Sequence, residues 1–257
     1  MTLPVLISIP HGGMDIPSEL EEDVCITKLD LFDDIDPFVR EIYDIGNKAK
    51  KIISTNIART FVDLNRSMQD LPPKNPDGLI KSMTCYEKPI YHLKKQPNEK
   101  KIAILIDKYY KTYHREIQKS LKEFDIQLCL DCHSMASEAP SISPDGNAKP
   151  RPLFCISNQK GKTSSEEMLQ LLGECLKKSF SLNEKDLKFN DPFLGGYITK
   201  TYGNNPVPWI QIEMNRRLYL SEEWFDKRTL LVNRKRLAEL NKMFNEALSL
   251  LFDNLTK

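Results

Sequence analysis

Two histidines of this chain each follow a short apolar segment and stand beside carboxylates. His11 comes directly after "PVLISIP", and His133 follows "DIQLCLD". Two imidazoles and one carboxylate, with a further position left for water, form a common ligand set of catalytic zinc. The two histidines are therefore candidate ligands of one metal ion. Asp131, two residues before His133 and on the same side of the predicted strand, is expected to accept the imidazole N–H and fix its tautomer.

A cysteine pair in the same stretch offers a competing chemistry. Cys129 and Cys132 form a C-x-x-C motif, but residues three apart in a strand point to opposite faces of a sheet. A redox C-x-x-C motif lies instead at the start of a helix, where the helix dipole lowers a thiol pKa. The chain has no second C-x-x-C pair to complete a structural zinc site. We therefore interpret the six scattered cysteines as free thiols in a reducing cytoplasm.

Other polar residues differ in how strongly they suggest chemistry. Glu213 ends the apolar segment "VPWIQIE", and the cluster "VDLNR" follows Phe61. His114 lies at the edge of the apolar stripe of a predicted helix, where a packing role is favoured over a role in the site. His92 has neither an acid nor a second histidine beside it and is interpreted as structural.

The segments that must position these residues alternate between two periodicities. Short runs rich in β-branched residues predict strands, and apolar residues every three or four positions predict amphipathic helices. This alternation is typical of a mainly parallel sheet with helices on both sides, where ligands bind at the carboxyl ends of the strands. The whole chain, 1–257, is expected to form one domain. Strands are predicted over 4–10, 51–56, 125–131, 152–157 and 207–213, and helices over 37–51, 100–124, 164–180 (capped by Thr163) and 237–251.

Composition excludes several classes of partner. The 37 basic and 36 acidic side chains leave a net charge of +1, and they form no basic block of the kind that binds nucleic acid or a membrane surface. The apolar runs are too short to span a bilayer, and the start of the sequence lacks the pattern of a signal peptide. A cytoplasmic protein with a small-molecule ligand is the expectation.

Taken together and in order, seven motifs resemble the N-formylglutamate amidohydrolase family over about residues 4–220. The resemblance implies an α/β three-layer sandwich with a mixed, mainly parallel sheet, shared with zinc carboxypeptidases and aspartoacylases (a phosphorylase/hydrolase-like fold). It also implies a single zinc-dependent domain that hydrolyses the amide bond of an N-acylated amino acid, releasing the amino acid and an acid such as formate. The motifs are "SIPHGG" (8–13), "DIDPFVREIYD" (34–44), "ARTFVDLNR" (58–66), "YHREI" (113–117), "DCHSM" (131–135), "PFLGGYITKTYG" (192–203) and "IQIEMNR" (210–216).

The chain departs from the family pattern at two places where substrate would be contacted. Family members often read G-G-H-I-T where this chain reads "GGYIT", so Tyr197 replaces a histidine. The segment "MNRRLYL", which follows Glu213, also differs from that of the N-formylglutamate enzymes. The departures leave the predicted reaction class unchanged but leave open the identity of the substrate.

The resemblance also bears on the third metal ligand. Zinc carboxypeptidases carry an acid three residues after the first histidine, where this chain has Met14, and Asp15 stands one residue further. The amidohydrolase family instead carries D-x-D before its first long helix, which matches Asp34 and Asp36. Asp36 is therefore the preferred ligand and Asp15 its rival. The structural alternative for Asp36 is a helix cap preceding Pro37.

The remaining roles follow from the chemistry of amide hydrolysis. Glu213 is the candidate general base, which takes a proton from water and passes it to the leaving amine. Asn65 and Arg66 could clamp the α-carboxylate of the substrate, and Arg59 could stabilise the oxyanion or bind a second carboxylate. Asp63 is expected to support these groups, although it could simply pair with Arg66.

Three more residues are candidates for substrate contact. Arg216 could bind an acidic side chain, while Gly195 and Gly196 would let the backbone approach the substrate or merely form a turn. One alternative function is a carboxypeptidase- or deacylase-like activity on another acylated amino acid or peptide. Another is a non-catalytic ligand-binding protein on the same scaffold, for which a general base at Glu213 would have no use.

Overall fold

A six-stranded sheet forms the centre of the molecule. The computed structural model describes residues 2–140, 143, 145 and 150–255. The strand order is β2-β1-β3-β6-β4-β5, in which β2, β1, β3 and β6 run parallel, β4 is antiparallel to β6, and β5 is parallel to β4. The predicted mixed, mainly parallel sheet is confirmed. Its strands are β1 (Leu3–Ile9), β2 (Ala49–Ser54), β3 (Leu128–Met135), β4 (Phe154–Ser157), β5 (Leu187–Phe189) and β6 (Trp209–Asn215).

Helices cover both faces of this sheet. The helices α3 and α4 are joined through a π-helical turn at Ile106–Tyr110, which confirms the long helix predicted over 100–124. A separate two-stranded hairpin pairs β7 (Phe225–Asp226) with β8 (Leu231–Val232). Within the described ranges, none of the helices has both the length and the apolar character needed to cross a bilayer. The helices are α1 (Lys28–Asp34), α2 (Val39–Tyr43), α3 (Glu99–Leu105), α4 (Lys111–Glu123), α5 (Glu166–Phe180), α6 (Tyr197–Tyr202), α7 (Arg217–Leu220) and α8 (Arg234–Leu255).

The alternation of side chains along the strands separates two apolar cores. On one face, Leu240 and Phe244 of α8 pack with α2 and α5 against the sheet. On the other face, Ile117 of α4 belongs to the second core. Cys132 lies in the first core and Cys129 in the second, as the strand period predicts, and all six cysteines are free. Burial raises the pKa of both of these thiols well above its usual value, which is the opposite of a redox pair.

Two of the predicted local boundaries are wrong. The helix expected over 37–51 is only the five-residue α2, because the amide of Gly46 donates to the side chain of Asp44 and Gly46 adopts a positive φ of 61°, which ends the helix. The helix α5 is capped by Ser165, whose hydroxyl accepts from the amide of Met168. Thr163 instead donates to the carbonyl of Trp209 on β6.

Strands β3 and β6 extend further than their apolar runs indicate. Both polar ends belong to the strands, so His133 and Glu213 lie on neighbouring parallel strands as direct register partners. His11 follows β1, which pairs with the other side of β3. The sheet therefore places these three side chains at one edge, the carboxyl end of its parallel strands.

Candidate active site

Three side chains converge where β1 and β3 reach this edge. The Nδ1 atoms of His11 and His133 are 3.1 Å apart, and the Oδ2 atom of Asp36 lies 3.7 Å from the first and 3.4 Å from the second. All three residues are buried, and one ligand atom from each lies within 4.8 Å of the other two. His11 and His133 are separated by 122 positions in the sequence, and the fold brings them together.

The other ring nitrogen of each histidine faces a carboxylate. His11 Nε2 is 2.7 Å from Asp63 Oδ1, and His133 Nε2 is 3.1 Å from Asp131 Oδ1. Each carboxylate would accept a hydrogen bond from an Nε2–H, and in that tautomer Nδ1 of each ring would present a lone pair to the centre. In that tautomer two lone pairs and a carboxylate oxygen would point to one place, which is the arrangement of a cation site.

This donor set fits a divalent transition metal. Two imidazoles, each with a carboxylate behind it, and one further carboxylate match the ligand types of a catalytic zinc site. Burial by itself would lower the pKa of His133, but Asp131, with Asp36 and Glu213 nearby, raises it well above its usual value. The excess of negative charge around the rings is thus large enough to attract a cation.

Asp36 is held in place by its surroundings rather than by a helix. Its Oδ2 accepts from the amide of Ser134 at 2.9 Å, and its Oδ1 accepts from Arg216 at 3.1 Å. Burial opposes ionisation, but bonds from both histidines and the charge of Arg216 hold the pKa of Asp36 well below its usual value. Its structural alternative, a cap, does not occur, because Phe38 precedes the first residue of α2. Asp15 is exposed and its backbone bridges to Ile57, apart from the two histidines.

Arg216 lines the cavity, but its donors are bonded to the chain itself. Besides Asp36, the guanidinium donates to the carbonyls of Ile35 at 2.5 Å and Asp33 at 3.1 Å, and to the hydroxyl of Ser134 at 3.0 Å. A buried guanidinium must be satisfied in this way, and the turn before Asp36 supplies the acceptors. The structure therefore gives Arg216 a positioning contact to Asp36, and its contact with an acidic substrate group stays a prediction.

Glu213 is buried in the same cavity, on the strand next to His133. The side-chain amide of Gln211 donates a hydrogen bond to Oε1 of Glu213 at 3.0 Å. Burial raises the pKa of Glu213 to about 7, with the charge of His133 opposing the increase. A carboxyl group with a pKa near neutrality can both accept and release a proton, as a general base requires.

The loop that contains Asp63 connects two arginines to this centre. Asp63 Oδ2 accepts from Arg59 Nη2 at 2.5 Å and Nε at 3.1 Å, while Oδ1 accepts from the amide of Asn65 at 3.0 Å. Burial raises the pKa of Asp63, but the charges of Arg59 and His11 outweigh it and hold that pKa well below its usual value. The Nη2 atom of Arg66 pairs with Asp77 at 2.8 Å, and its Nε is 3.7 Å from Asp63. Asp63 is therefore paired first with Arg59, not with Arg66.

Asn65 joins this loop to the glycine pair. Its Oδ1 accepts from the amide of Ile198 at 2.7 Å, and its Nδ2 lies 3.4 Å from Asp131 Oδ2. A Cβ atom on Gly196 would come within 2.2 Å of Asn65 Nδ2, and Gly195 has a positive φ of 111°. The two glycines thus permit a tight turn and a close approach to Asn65, and both line the cavity.

Four predicted residues do not line the cavity: Asp15, Asp131, His114 and Tyr197. His114 Nε2 donates to the carbonyl of Leu64 at 3.0 Å, and its Nδ1 accepts from the hydroxyl of Tyr202 at 2.8 Å. Burial lowers the pKa of His114 to about 4, so the ring is neutral and supports the 63–66 loop from behind. The ring of Tyr197 lies 6.0 Å from that of His114 and packs against the second core.

The cavity itself was not predicted from the sequence. It has a volume of about 680 Å³ and includes two residues that sequence reasoning missed, Gln211 and Arg151. Gln211 could have been found, since it lies two positions before Glu213 and so points to the same side of β6. Arg151 carries no sequence signal; its Nη2 pairs with Asp145 at 2.7 Å and its guanidinium lies 5.0 Å from the ring of Phe193.

Comparisons with known proteins agree with this architecture. The structure superposes on an N-formylglutamate amidohydrolase from Ralstonia eutropha JMP134 with a TM-score of 0.80 at 19% identity, covering 98% of this chain and 94% of that one. A protein from Agrobacterium tumefaciens gives a TM-score of 0.67 at 13% identity, covering 99% of this chain and 92% of that one. Identities this low establish the fold alone.

A comparison with curated proteins gives no match. At the level of sequence families, a model described as N-formylglutamate amidohydrolase matches residues 3–220, most of the chain. The match spans every residue of the convergent site, from His11 to Arg216. The chain therefore belongs to the N-formylglutamate amidohydrolase family.

Proposed function

We propose that this protein is a zinc-dependent amidohydrolase that cleaves the amide bond of an N-acylated amino acid with a free carboxylate. The observation that supports the proposal is the convergence of His11, His133 and Asp36 in one cavity with Glu213 on the adjoining strand. The whole chain would act as one catalytic domain, since both helical layers pack on the single central sheet. Family membership points to the same reaction class.

The proposed metal ligands are Nδ1 of His11, Nδ1 of His133 and a carboxylate oxygen of Asp36. A zinc ion bound there would polarise the scissile carbonyl and lower the pKa of a water molecule. Asp63 and Asp131, each behind one imidazole, keep the rings in the tautomer that leaves Nδ1 free. Arg216 and the amide of Ser134 hold Asp36 so that its carboxylate faces both rings.

Glu213 is the proposed general base. It would accept a proton from the attacking water and return the proton to the nitrogen of the leaving amine, which departs as a neutral amine. Burial keeps its pKa near neutrality, so the same carboxyl group can serve in both steps. The hydrogen bond from Gln211 fixes one oxygen and leaves the other for the water.

The arginines of the 59–66 loop are the proposed substrate contacts. Arg59 is charged at all accessible pH values, since Asp63 and further carboxylates raise its pKa despite its burial. It lines the cavity beside the histidines and could stabilise the oxyanion of the tetrahedral intermediate. Arg66, whose side chain is one-third exposed, could bind the α-carboxylate of the substrate. Gly195 and Gly196 would line the cavity next to Asn65.

The decisive experiment measures release of free amine from a panel of N-acyl amino acids. Protein loaded with zinc should hydrolyse members of the panel that carry a free carboxylate, and chelator should abolish the activity until zinc is restored. Elemental analysis should find about one zinc ion per chain, and the His11→Ala/His133→Ala double variant should lose it. Each imidazole supplies one ligand of a single site, so removing both leaves only Asp36.

The control is a variant at a histidine outside the site. His92→Ala, a single change at an exposed histidine, should keep its zinc, whereas His114 supports the 63–66 loop and is left unchanged. Zinc retained by the His11→Ala/His133→Ala variant would overturn the ligand assignment. Full turnover in the presence of chelator would overturn metal dependence.

A further inference from the structure

Five large apolar side chains, called the apolar rim below, line the catalytic cavity together with its charged residues. Met83, Tyr86 and Leu194 all line the cavity, yet their side chains remain 38%, 38% and 45% exposed. Phe193 lines the cavity beside Leu194, and Met135 lies two residues beyond His133 on the same side of β3. Large apolar side chains gathered beside a polar site are characteristic of ligand-binding surfaces.

One side of this rim belongs to a rigid hairpin. Met83 and Pro89 form a β-bridge, and the amide of Thr84 donates to the carbonyl of Lys88 at 3.0 Å. The amide of Cys85 donates to the buried carboxylate of Asp34 at 2.8 Å, which ties the hairpin to the turn that carries Asp36. The backbone is thus fixed while the side chains of Met83 and Tyr86 remain in the opening.

The other side of the rim is held in the same manner. The carbonyl of Phe193 accepts from the hydroxyl of Ser157 at 2.6 Å, and that of Leu194 accepts from the amide of Gln159 at 3.0 Å. Both bonds fix the main chain, so the exposure of Leu194 is not the result of a loose loop. Two anchored segments from distant parts of the sequence therefore present apolar side chains to one opening.

The volume of the cavity exceeds what an N-formyl amino acid needs. Such a substrate has about a dozen non-hydrogen atoms and would fill at most roughly 360 Å³, even if each atom took the ~30 Å³ share of a water molecule. The cavity of about 680 Å³ is nearly twice that size. The space that remains lies in a cavity that the apolar rim lines.

We infer that the rim formed by Met83, Tyr86, Met135, Phe193 and Leu194 is a subsite for an apolar group of the substrate. The inference rests on the proposed function and narrows its substrate class to acylated amino acids with a bulky apolar portion. That portion is either an acyl chain longer than formyl or an apolar amino-acid side chain. The apolar rim and the catalytic residues line the same cavity, so the group that occupies the rim belongs to the substrate.

The test measures binding and turnover with two series of compounds. One series lengthens the acyl group on glutamate from formyl through acetyl and butyryl to hexanoyl. The other keeps the formyl group and enlarges the side chain from alanine through norvaline and leucine to phenylalanine. Calorimetry on the zinc-loaded Glu213→Gln variant reports binding, and kcat/KM of the unaltered enzyme reports turnover.

One series is expected to gain roughly fourfold in affinity and in kcat/KM for each added methylene, the value of one buried methylene group. The series that gains identifies which end of the substrate occupies the rim. Met83→Ser and Leu194→Ser should flatten that gain. Leu93→Ser, a matched change at a leucine that is 91% exposed and outside the cavity, should leave it intact.

The outcomes separate the subsite from the reaction. Flat or falling affinity in both series would overturn the subsite, and hydrolysis of the short members would still support the amidohydrolase. A gain in affinity without turnover of any member would support the subsite and overturn the hydrolase. A gain that persists in both serine variants at the rim would also overturn the subsite, because the apolar group would then bind elsewhere.

Discussion

Two buried carboxylates, Asp34 at the end of α1 and Asp36 two residues later, have different surroundings. Asp34 receives the ammonium of Lys81 at 3.1 and 3.2 Å, the hydroxyl of Thr60 at 2.7 Å and the amide of Cys85 at 2.8 Å. Despite burial, Lys81 and these donors lower the pKa of Asp34 to about 2. Its negative charge is neutralised by a cation of the chain itself.

Asp36 faces two imidazoles, those of His11 and His133. Arg216 contacts its outer oxygen, but the oxygen that faces the rings shares that space with two Nδ1 atoms. The first carboxylate is thus a closed ion pair, whereas the second lies in a His-Asp-His group that could hold a metal ion. Burial and charge therefore do not distinguish a structural carboxylate from a functional one. The side chains that contact the carboxylate do.

The largest effect is expected at Glu213, the proposed general base beside Asp36 and the two histidines. Glu213→Gln preserves shape and hydrogen bonding but cannot accept a proton, so turnover should fall by roughly 10²–10⁴-fold. Zinc content and the melting temperature should change little. Glu222→Gln, at an exposed glutamate, is the matched control and should retain activity. Loss of zinc in Glu213→Gln would make this residue a ligand instead of a base.

The paired variants Asp36→Asn and Asp34→Asn test the comparison directly. Asp36→Asn should reduce zinc affinity by more than the roughly 10–100-fold that is typical when an outer partner of a metal ligand is lost. Asp34→Asn should leave the folded protein able to bind zinc but lower the free energy of unfolding by about 3 kcal/mol, because Lys81 remains buried with fewer partners. Zinc titration and urea denaturation measure the two quantities. Equal effects of both variants on zinc affinity would remove the distinction.

Arg216 is expected to act on zinc affinity through Asp36. Arg216→Lys keeps the charge but cannot reach Asp36, the 33–35 carbonyls and Ser134 together, so zinc affinity should fall roughly 10–100-fold. Competition with a chromogenic chelator measures this change. Arg228→Lys, at an exposed arginine, should leave the affinity as it is. Unchanged zinc affinity together with a higher KM would return Arg216 to the role of a substrate contact.

The smallest effect concerns the buried His114 and the pH dependence of the free energy of unfolding. The folded pKa of His114 is about 4, below the usual 6.5, because burial disfavours its charged form. Its contribution to stability is therefore complete above pH 6.5 and is lost as the pH falls toward 4, by roughly 2 kcal/mol at pH 5. Urea denaturation of His114→Gln between pH 7 and 5 should show a flatter pH dependence than the unaltered protein.

The exposed His92 supplies the control for this measurement. His92→Gln changes an exposed histidine in the same way and is measured over the same pH range. An identical pH dependence in His114→Gln and the unaltered protein would show that His114 titrates normally in the folded state.

Local patterns in the sequence determined the elements of this protein. The period of the long helix, the β-branched strands and the apolar face of α8 are properties of neighbouring residues, so they can be read without knowledge of the fold. The boundaries failed where a single side-chain contact decides them, as at Asp44 and Gly46. The same local reasoning marked His11, His133 and Glu213, because each stands where an apolar strand ends or turns polar.

Only the tertiary structure decided what the charged residues face. Arg216 meets Asp36 across 180 residues of sequence, and Asp34 receives Lys81 from 47 residues away. The apolar rim likewise joins segments near residues 83–86 and 193–194 that share no local pattern. A strand or helix depends on the period of its own side chains, whereas the role of a charged or exposed side chain depends on the partner that long-range folding brings to it.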